Sequence, residues 1–209
     1  MKPEPFVRVS GIASPMPEDN IDTDIIFPAR FLLLTTREGL GEHAFADRRR
    51  HRDGSEVAGY VLNRAPFAAP RFIVAGDNFG SGSSREQAVW ALLDLGVRVV
   101  IAGSFGEIFH NNCLRNGILP IRVEGPQRQR LMALAEAEAT FVADLPTQTL
   151  TVAGADPIAF AIDAERKEAM LHGWDETDQV VARFADDIAA FEAAQARLQP
   201  WLYPVGVPA

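Results

Sequence analysis

The chain has 209 residues, 47% of them hydrophobic and 23% charged, and its 28 acids against 20 lysines and arginines leave a net charge of −8. That acidity excludes nucleic acid as the main partner, because neutralising phosphates needs a broad positive face. No run of about 18 apolar residues is present to cross a bilayer, and residues 1–5 lack the apolar core of a signal peptide, so a cytoplasmic protein with one substantial core is expected.

In chain order, residues 6–12 read as a short strand, followed by a proline-punctuated turn over 14–20. Then come Asp22, Thr23 and Asp24 ahead of an apolar run and Arg30, a pattern that either fixes a loop through Asx turns or lines a site. Residues 46–63 are mostly polar and contain Arg48, Arg49, Arg50, His51 and Arg52, most simply a solvated loop. Residues 71–75 have the β-rich look of a buried strand, and 88–95 the apolar density of a packed helix stopped by Gly96. From there strand, helix and strand alternate: strands over 97–102 and 118–123, a helix over 105–112 between them, and a helix opening at Pro126. Short strands follow over 141–144, 149–152 and 158–161, then helices over 163–172 and 175–198. In the last helix Val180, Val181, Phe184, Ile188 and Phe191 fall at helical spacing, which predicts packing. The class is α/β, with 163–200 as a C-terminal helical extension of a single domain over 1–209.

The most informative stretch joins the strand at 71–75 to the helix at 88–95: Gly76, Asp77, Asn78, Phe79, Gly80, Ser81, Gly82, Ser83, Ser84, Arg85, Glu86, Gln87. Ser83 with Glu86, or Ser84 with Gln87, has capping-box spacing, and free first-turn amides beside Arg85 suit a carboxylate or phosphate. A Walker loop is excluded because no lysine is present, and a dinucleotide fingerprint because Arg85 stands where a small residue is needed. A nucleophile elbow fails because Glu86 follows Ser84 at the position that requires glycine. Two local readings remain: an anion site with a hydroxyl at its centre, or a pair of serines that only cap a helix.

Cys113 is the only cysteine, so no disulfide framework and no four-cysteine iron-sulfur site can be built within the chain. The histidines, His43, His51, His110 and His172, show no ligand spacing. Metal chemistry therefore needs another chain, and no metal ligand is assigned here.

Taken together, Asp22-Thr23-Asp24 with Pro28 to Leu32, Asn78 to Glu86, and Ser104-Phe105 through Asn111-Asn112 to Gly117-Ile118-Leu119-Pro120-Ile121 resemble the swivelling domain of the aconitase superfamily. Within it the pattern is similar to the small subunit family of 3-isopropylmalate dehydratase, over about residues 6–200. The resemblance implies a three-layer β/β/α domain closing over a large subunit that carries a [4Fe-4S] cluster, whose iron takes the departing hydroxyl. It implies a hydro-lyase of leucine biosynthesis that interconverts 2- and 3-isopropylmalate, with a small diacid as substrate. By the same resemblance Ser83 is the catalytic base, and Ser84 and Arg85 bind substrate; Asp24 and Arg30 join the candidate binding residues, while Ile25, Ile26, Phe27 and Phe31 offer an apolar wall for the alkyl group. Ser81, Gln87 and Val89 depart from the family's usual cysteine, histidine and proline. They leave open a relative acting on dimethylmalate, methylmalate or homocitrate, and a non-catalytic assembly module stands as the alternative from a different class.

Overall fold

The computed structural model describes residues 2–34 and 36–203, and it divides into two compact units after Gly173. The first unit is built on β1 (Arg8–Met16), β2 (Phe72–Ala75), β3 (Val99–Ala102), β4 (Leu119–Arg122), β5 (Thr140–Asp144), β6 (Thr149–Val152) and β7 (Ile158–Ala159). Its helices are α1 (Thr23–Ile26), α2 (Ala46–Arg49), α3 (Gln87–Asp94), α4 (Glu107–Asn116), α5 (Gly125–Glu136) and α6 (Ala164–His172). The second unit holds α7 (Glu176–Leu198) and a short 3-10 turn. The helical stretch expected from residue 163 onward thus divides, with α6 belonging to the first unit through the Phe6 amide, which donates to the Met170 carbonyl at 2.8 Å.

The strands form one mixed sheet in the order β4-β3-β2-β1-β5-β6-β7. Strands β1 to β4 run parallel and β5 to β7 return antiparallel from β1. Strand β1 works in two halves: Arg8 to Ile12 pair with β5, and Ala13 to Met16 pair with β2. The expected strand over 6–12 therefore runs on through Pro15, where a turn was expected. A proline survives there because β5 pairs with β1 only as far as Ile12, so Pro15 faces one ladder rather than two.

Every residue of β2 and β3 is buried, as befits parallel strands covered on both faces. Ile73, Ala75, Val100 and Ala102 share a core with Ala88, Val89, Ala91 and Leu92 of α3 and with Phe109 and Cys113 of α4. The alternate residues Phe72, Val74, Val99 and Ile101 share a second core with Phe141, Ala143, Leu150 and Val152 of the antiparallel strands and with Leu131 and Ala135 of α5. The sheet curls, so its antiparallel end covers one face of the parallel end while α3 and α4 cover the other. This is the three-layer β/β/α arrangement.

Arg49 is not a solvated member of its cluster: it donates to the carbonyls of Gly41 at 3.1 Å and Ala44 at 3.4 Å and to Asn63 Oδ1 at 3.2 Å, and burial lowers its pKa. Asn63 answers by donating to the Arg49 carbonyl at 2.6 Å, so this arginine staples the 41–63 segment. In α7, opened by a reciprocal capping box between Asp175 and Asp178 and kinked at Phe184, no residue is buried. Val180, Val181, Phe184 and Phe191 are exposed on it and Ile188 is half-buried.

Candidate active site on the serine loop

The loop leaving β2 is pinned at its entry. The Asp77 amide donates to Asp19 Oδ1 at 2.6 Å, Asn78 Nδ2 donates to Asn20 Oδ1 at 2.8 Å, and the Asn78 amide donates to Ser104 Oγ at 2.8 Å. Gly80, at φ +71°, packs so tightly on the Phe109 ring that a Cβ would collide with it. A glycine is needed there for both backbone angle and space.

Beyond that point the loop runs alongside the start of α1. The Gly80 amide donates to the Ile21 carbonyl at 2.7 Å, and the Thr23 amide donates to the Ser81 carbonyl at 2.9 Å. These bonds carry the Asp22-Thr23-Asp24 segment to the serines. Asp22 caps α1, its Oδ1 accepting from the Ile25 amide at 2.8 Å, which turns Thr23 inward and leaves Asp24 outward. Thr23 is 1% exposed. Its Oγ1 accepts from the Ser83 amide at 3.1 Å and lies 2.9 Å from Ser83 Oγ. One residue on, Asp24 Oδ1 accepts from Arg85 Nη1 in an ion pair.

The structure thus brings together Ser83, Arg85 and Asp24 and adds Thr23, which the sequence displayed inside the motif without assigning it a role. Its signal was a threonine between two acids; its partner lies 60 residues away and no local spacing reveals it. Ser84 sits beside this group, exposed. Arg30 is engaged elsewhere: its guanidinium pairs with Asp47 at 2.6 Å and lies 4.4 Å over the Phe31 ring, and the Asp47 carboxylate raises its pKa.

Two further site expectations are corrected. Neither serine caps α3: the residue before the helix is Glu86, in helical conformation, with no side-chain cap. Ser83 is committed to Thr23 instead, which disposes of the reading in which it serves only as a cap. Nor do Ile26 and Phe27 form a wall facing the loop, since both are 0% exposed in the core and Ile25 and Phe31 pack against it. The exposed apolar side chains of this segment are Leu33, at 91%, and Leu34, at 38%.

Cys113 is fully buried, and burial pushes its thiol pKa up, so it is an inert core residue. Among the described residues no group of three or more His, Cys, Asp and Glu stands together as a metal site. An iron-sulfur cluster does not fit the residues of this chain.

A curled mixed sheet with a serine-arginine loop at the end of a parallel strand, zipped to an acidic segment after the first strand, defines an aconitase-type C-terminal domain. The family model for the aconitase C-terminal domain matches residues 3–126, and the model for the C-terminal domain of the 3-isopropylmalate dehydratase small subunit matches residues 183–205. The chain is 47% identical to the 3-isopropylmalate dehydratase small subunit of Jannaschia sp. (strain CCS1), over 94% of this chain and 98% of that one. It is 44% identical to that of Rhodospirillum centenum, over 95% and 98%. A crystal structure of 3-isopropylmalate dehydratase (leuD) from Methanocaldococcus jannaschii superposes with a TM-score of 0.63 at 25% identity, covering 88% of this chain and 99% of that one. The chain belongs to the 3-isopropylmalate dehydratase small subunit family.

Proposed function

We propose that this chain is the small subunit of a two-chain hydro-lyase that interconverts 2- and 3-isopropylmalate by dehydration and rehydration, working in the cytoplasm on the path to leucine. The observation that carries the reading is the Ser83–Thr23 hydroxyl pair beside the Arg85–Asp24 ion pair, in a chain of this family.

In this reading Ser83 Oγ takes the proton from the carbon next to a substrate carboxylate. A serine hydroxyl is a weaker acid than tyrosine, so bringing its pKa to about 7 requires more than ~4 kcal/mol, at about 1.36 kcal/mol per unit from a tyrosine-like value near 10. A helix N-terminus supplies at most about 2 kcal/mol. Thr23 Oγ1, held by the Ser83 amide, is placed to donate its own proton to Ser83 Oγ and so stabilise negative charge there. The remainder comes from excluding water when the exposed loop is covered by the large subunit.

Arg85 spends one nitrogen on Asp24, which fixes the guanidinium plane and leaves other N–H groups for a carboxylate. Ser84 and the uncapped first-turn amides of α3 are further donors for the same diacid. Leu33 and Leu34 replace the buried Ile26 and Phe27 as the apolar contact for the isopropyl group.

The [4Fe-4S] cluster is assigned to the large subunit. The test is reconstitution: the isolated chain should hold no stoichiometric iron and show no turnover of isopropylmalate, and both should appear with a cluster-bearing large subunit. Iron and turnover in the isolated chain overturn the division of labour, and preference of the complex for methylmalate or dimethylmalate overturns the substrate.

A further inference from the structure

The serine turn ends at a helix that no side chain caps, so its exit must be held some other way. Asn116, the last residue of α4 and 8% exposed, provides the hold. Its Nδ2 donates to Glu86 Oε1 at 2.7 Å and to the Asn112 carbonyl at 2.9 Å, while its Oδ1 accepts from Trp90 Nε1 at 3.1 Å. Both hydrogens and the oxygen of the amide are used, so it has one orientation. Glu86, the N-cap of α3 in helical conformation, and Trp90 within it are four residues apart on one face and grip the amide from two sides.

The same α4 also holds the loop entry, through Phe109 against Gly80 and through the Gly106 amide, which donates to the Phe79 carbonyl at 2.9 Å. Phe109 and Asn116 lie seven residues apart, two turns and about 10 Å along one helix face. The turn bearing Ser83 and Arg85 is therefore suspended from a single rigid helix at both ends, with Thr23 touching its middle. With its exit loose, the turn would hang on its entry and on the Thr23 and Asp24 contacts alone, and a displacement of Ser83 of about 1 Å can cost ~10²-fold in rate.

We propose that Glu86, Asn116 and Trp90 form a positioning relay that fixes the Ser83-Ser84-Arg85 turn, Glu86 acting as a hydrogen-bond acceptor and not through its charge. The consequence for catalysis rests on the reading of Ser83 as the base; the anchoring does not. The test has two arms. In the isolated chain, amide hydrogen exchange is followed at Ser83 and Thr23, with Val100 in β3 as the reference. Asn116→Ala and Glu86→Ala should speed exchange at the first two by at least ~10-fold while Val100 stays protected, and Glu86→Gln, which keeps the acceptor, should resemble the unaltered chain.

In the reconstituted complex the two alanine variants should lower kcat by ~10- to 100-fold at temperatures well below their melting midpoints, with Glu86→Gln retaining most of the rate. Because Glu86 is only partly buried, its alanine variant keeps the test open should Asn116→Ala not fold. Unchanged exchange at Ser83 and Thr23 in a folded alanine variant overturns the relay, as does a Glu86→Gln variant as impaired as Glu86→Ala. A complex of the unaltered chain that leaves isopropylmalate untouched overturns the proposed reaction, and the exchange arm then still decides the relay.

Discussion

Ser83 and Thr23, 60 residues apart in the chain, place their side-chain oxygens 2.9 Å from one another, and the Ser83 amide also points at Thr23 Oγ1, at 3.1 Å. The serine is thereby fixed at both backbone and side chain by one buried hydroxyl. A residue held in this way is oriented for a task, and its hydroxyl is unavailable for capping α3.

Replacing Ser83 by alanine should therefore spare the fold and remove the chemistry. The reconstituted Ser83→Ala complex should lose at least ~10² in kcat, the lower end for removal of a general base. Circular dichroism and the melting midpoint of the isolated chain should stay close to the unaltered values, because α3 owes nothing to this side chain. A near-normal kcat in a folded variant would remove Ser83 from the mechanism.

Thr23→Val keeps the shape and deletes the hydroxyl. It strands the Ser83 amide without its acceptor, a loss of about 1–3 kcal/mol where no water replaces it, and it removes the donor to Ser83 Oγ. A fall in kcat of more than ~10-fold is expected, with Thr23→Ser restoring most of it. If valine and serine behave alike, the hydroxyl is not what Ser83 uses.

Arg85→Lys keeps the charge but loses the planar fork that pairs with Asp24 while presenting further N–H groups. Steady-state kinetics of the complex should show a raised KM for isopropylmalate with a smaller change in kcat. A kcat effect larger than the KM effect would place Arg85 in the transition state rather than in substrate binding.

His110 supplies a pH signature for stability. Burial, followed by the charges of Arg122 and Arg166, holds its pKa below the ordinary value of about 6.5. Below pH ~6.5 the unfolded chain takes up a proton that the folded chain refuses, so stability falls as pH drops from about 6.5 toward the folded pKa and levels off beneath it. The depressed Asp47, Asp77 and Asp144 contribute only at lower pH, near and below the ordinary carboxylate value. Melting midpoints should fall as the pH is lowered from about 7 to about 5, and His110→Gln should flatten that fall; an unaltered slope in the variant would show that another group is responsible.

Features that depend on near neighbours were legible in the order of residues alone. The period of apolar residues located β2, β3, β6 and most helices, Pro126 marked where α5 begins, and the glycine-serine-arginine run marked the loop that matters. Family likeness then assigned Ser83 and Arg85 to their neighbourhood. Relations between distant segments emerged only from the folded chain: that Thr23 holds Ser83, that Asn116 holds Glu86, that Pro15 continues a strand because β5 has already left it, and that Arg49 faces inward. It also decided that Ile26 and Phe27 belong to the core while Leu33 meets solvent, since all lie in one apolar stretch that reads alike. The reason is physical: periodicity encodes which face of an element is buried, whereas the partner of a lone hydroxyl, amide or guanidinium is set by which segments the sheet order brings side by side.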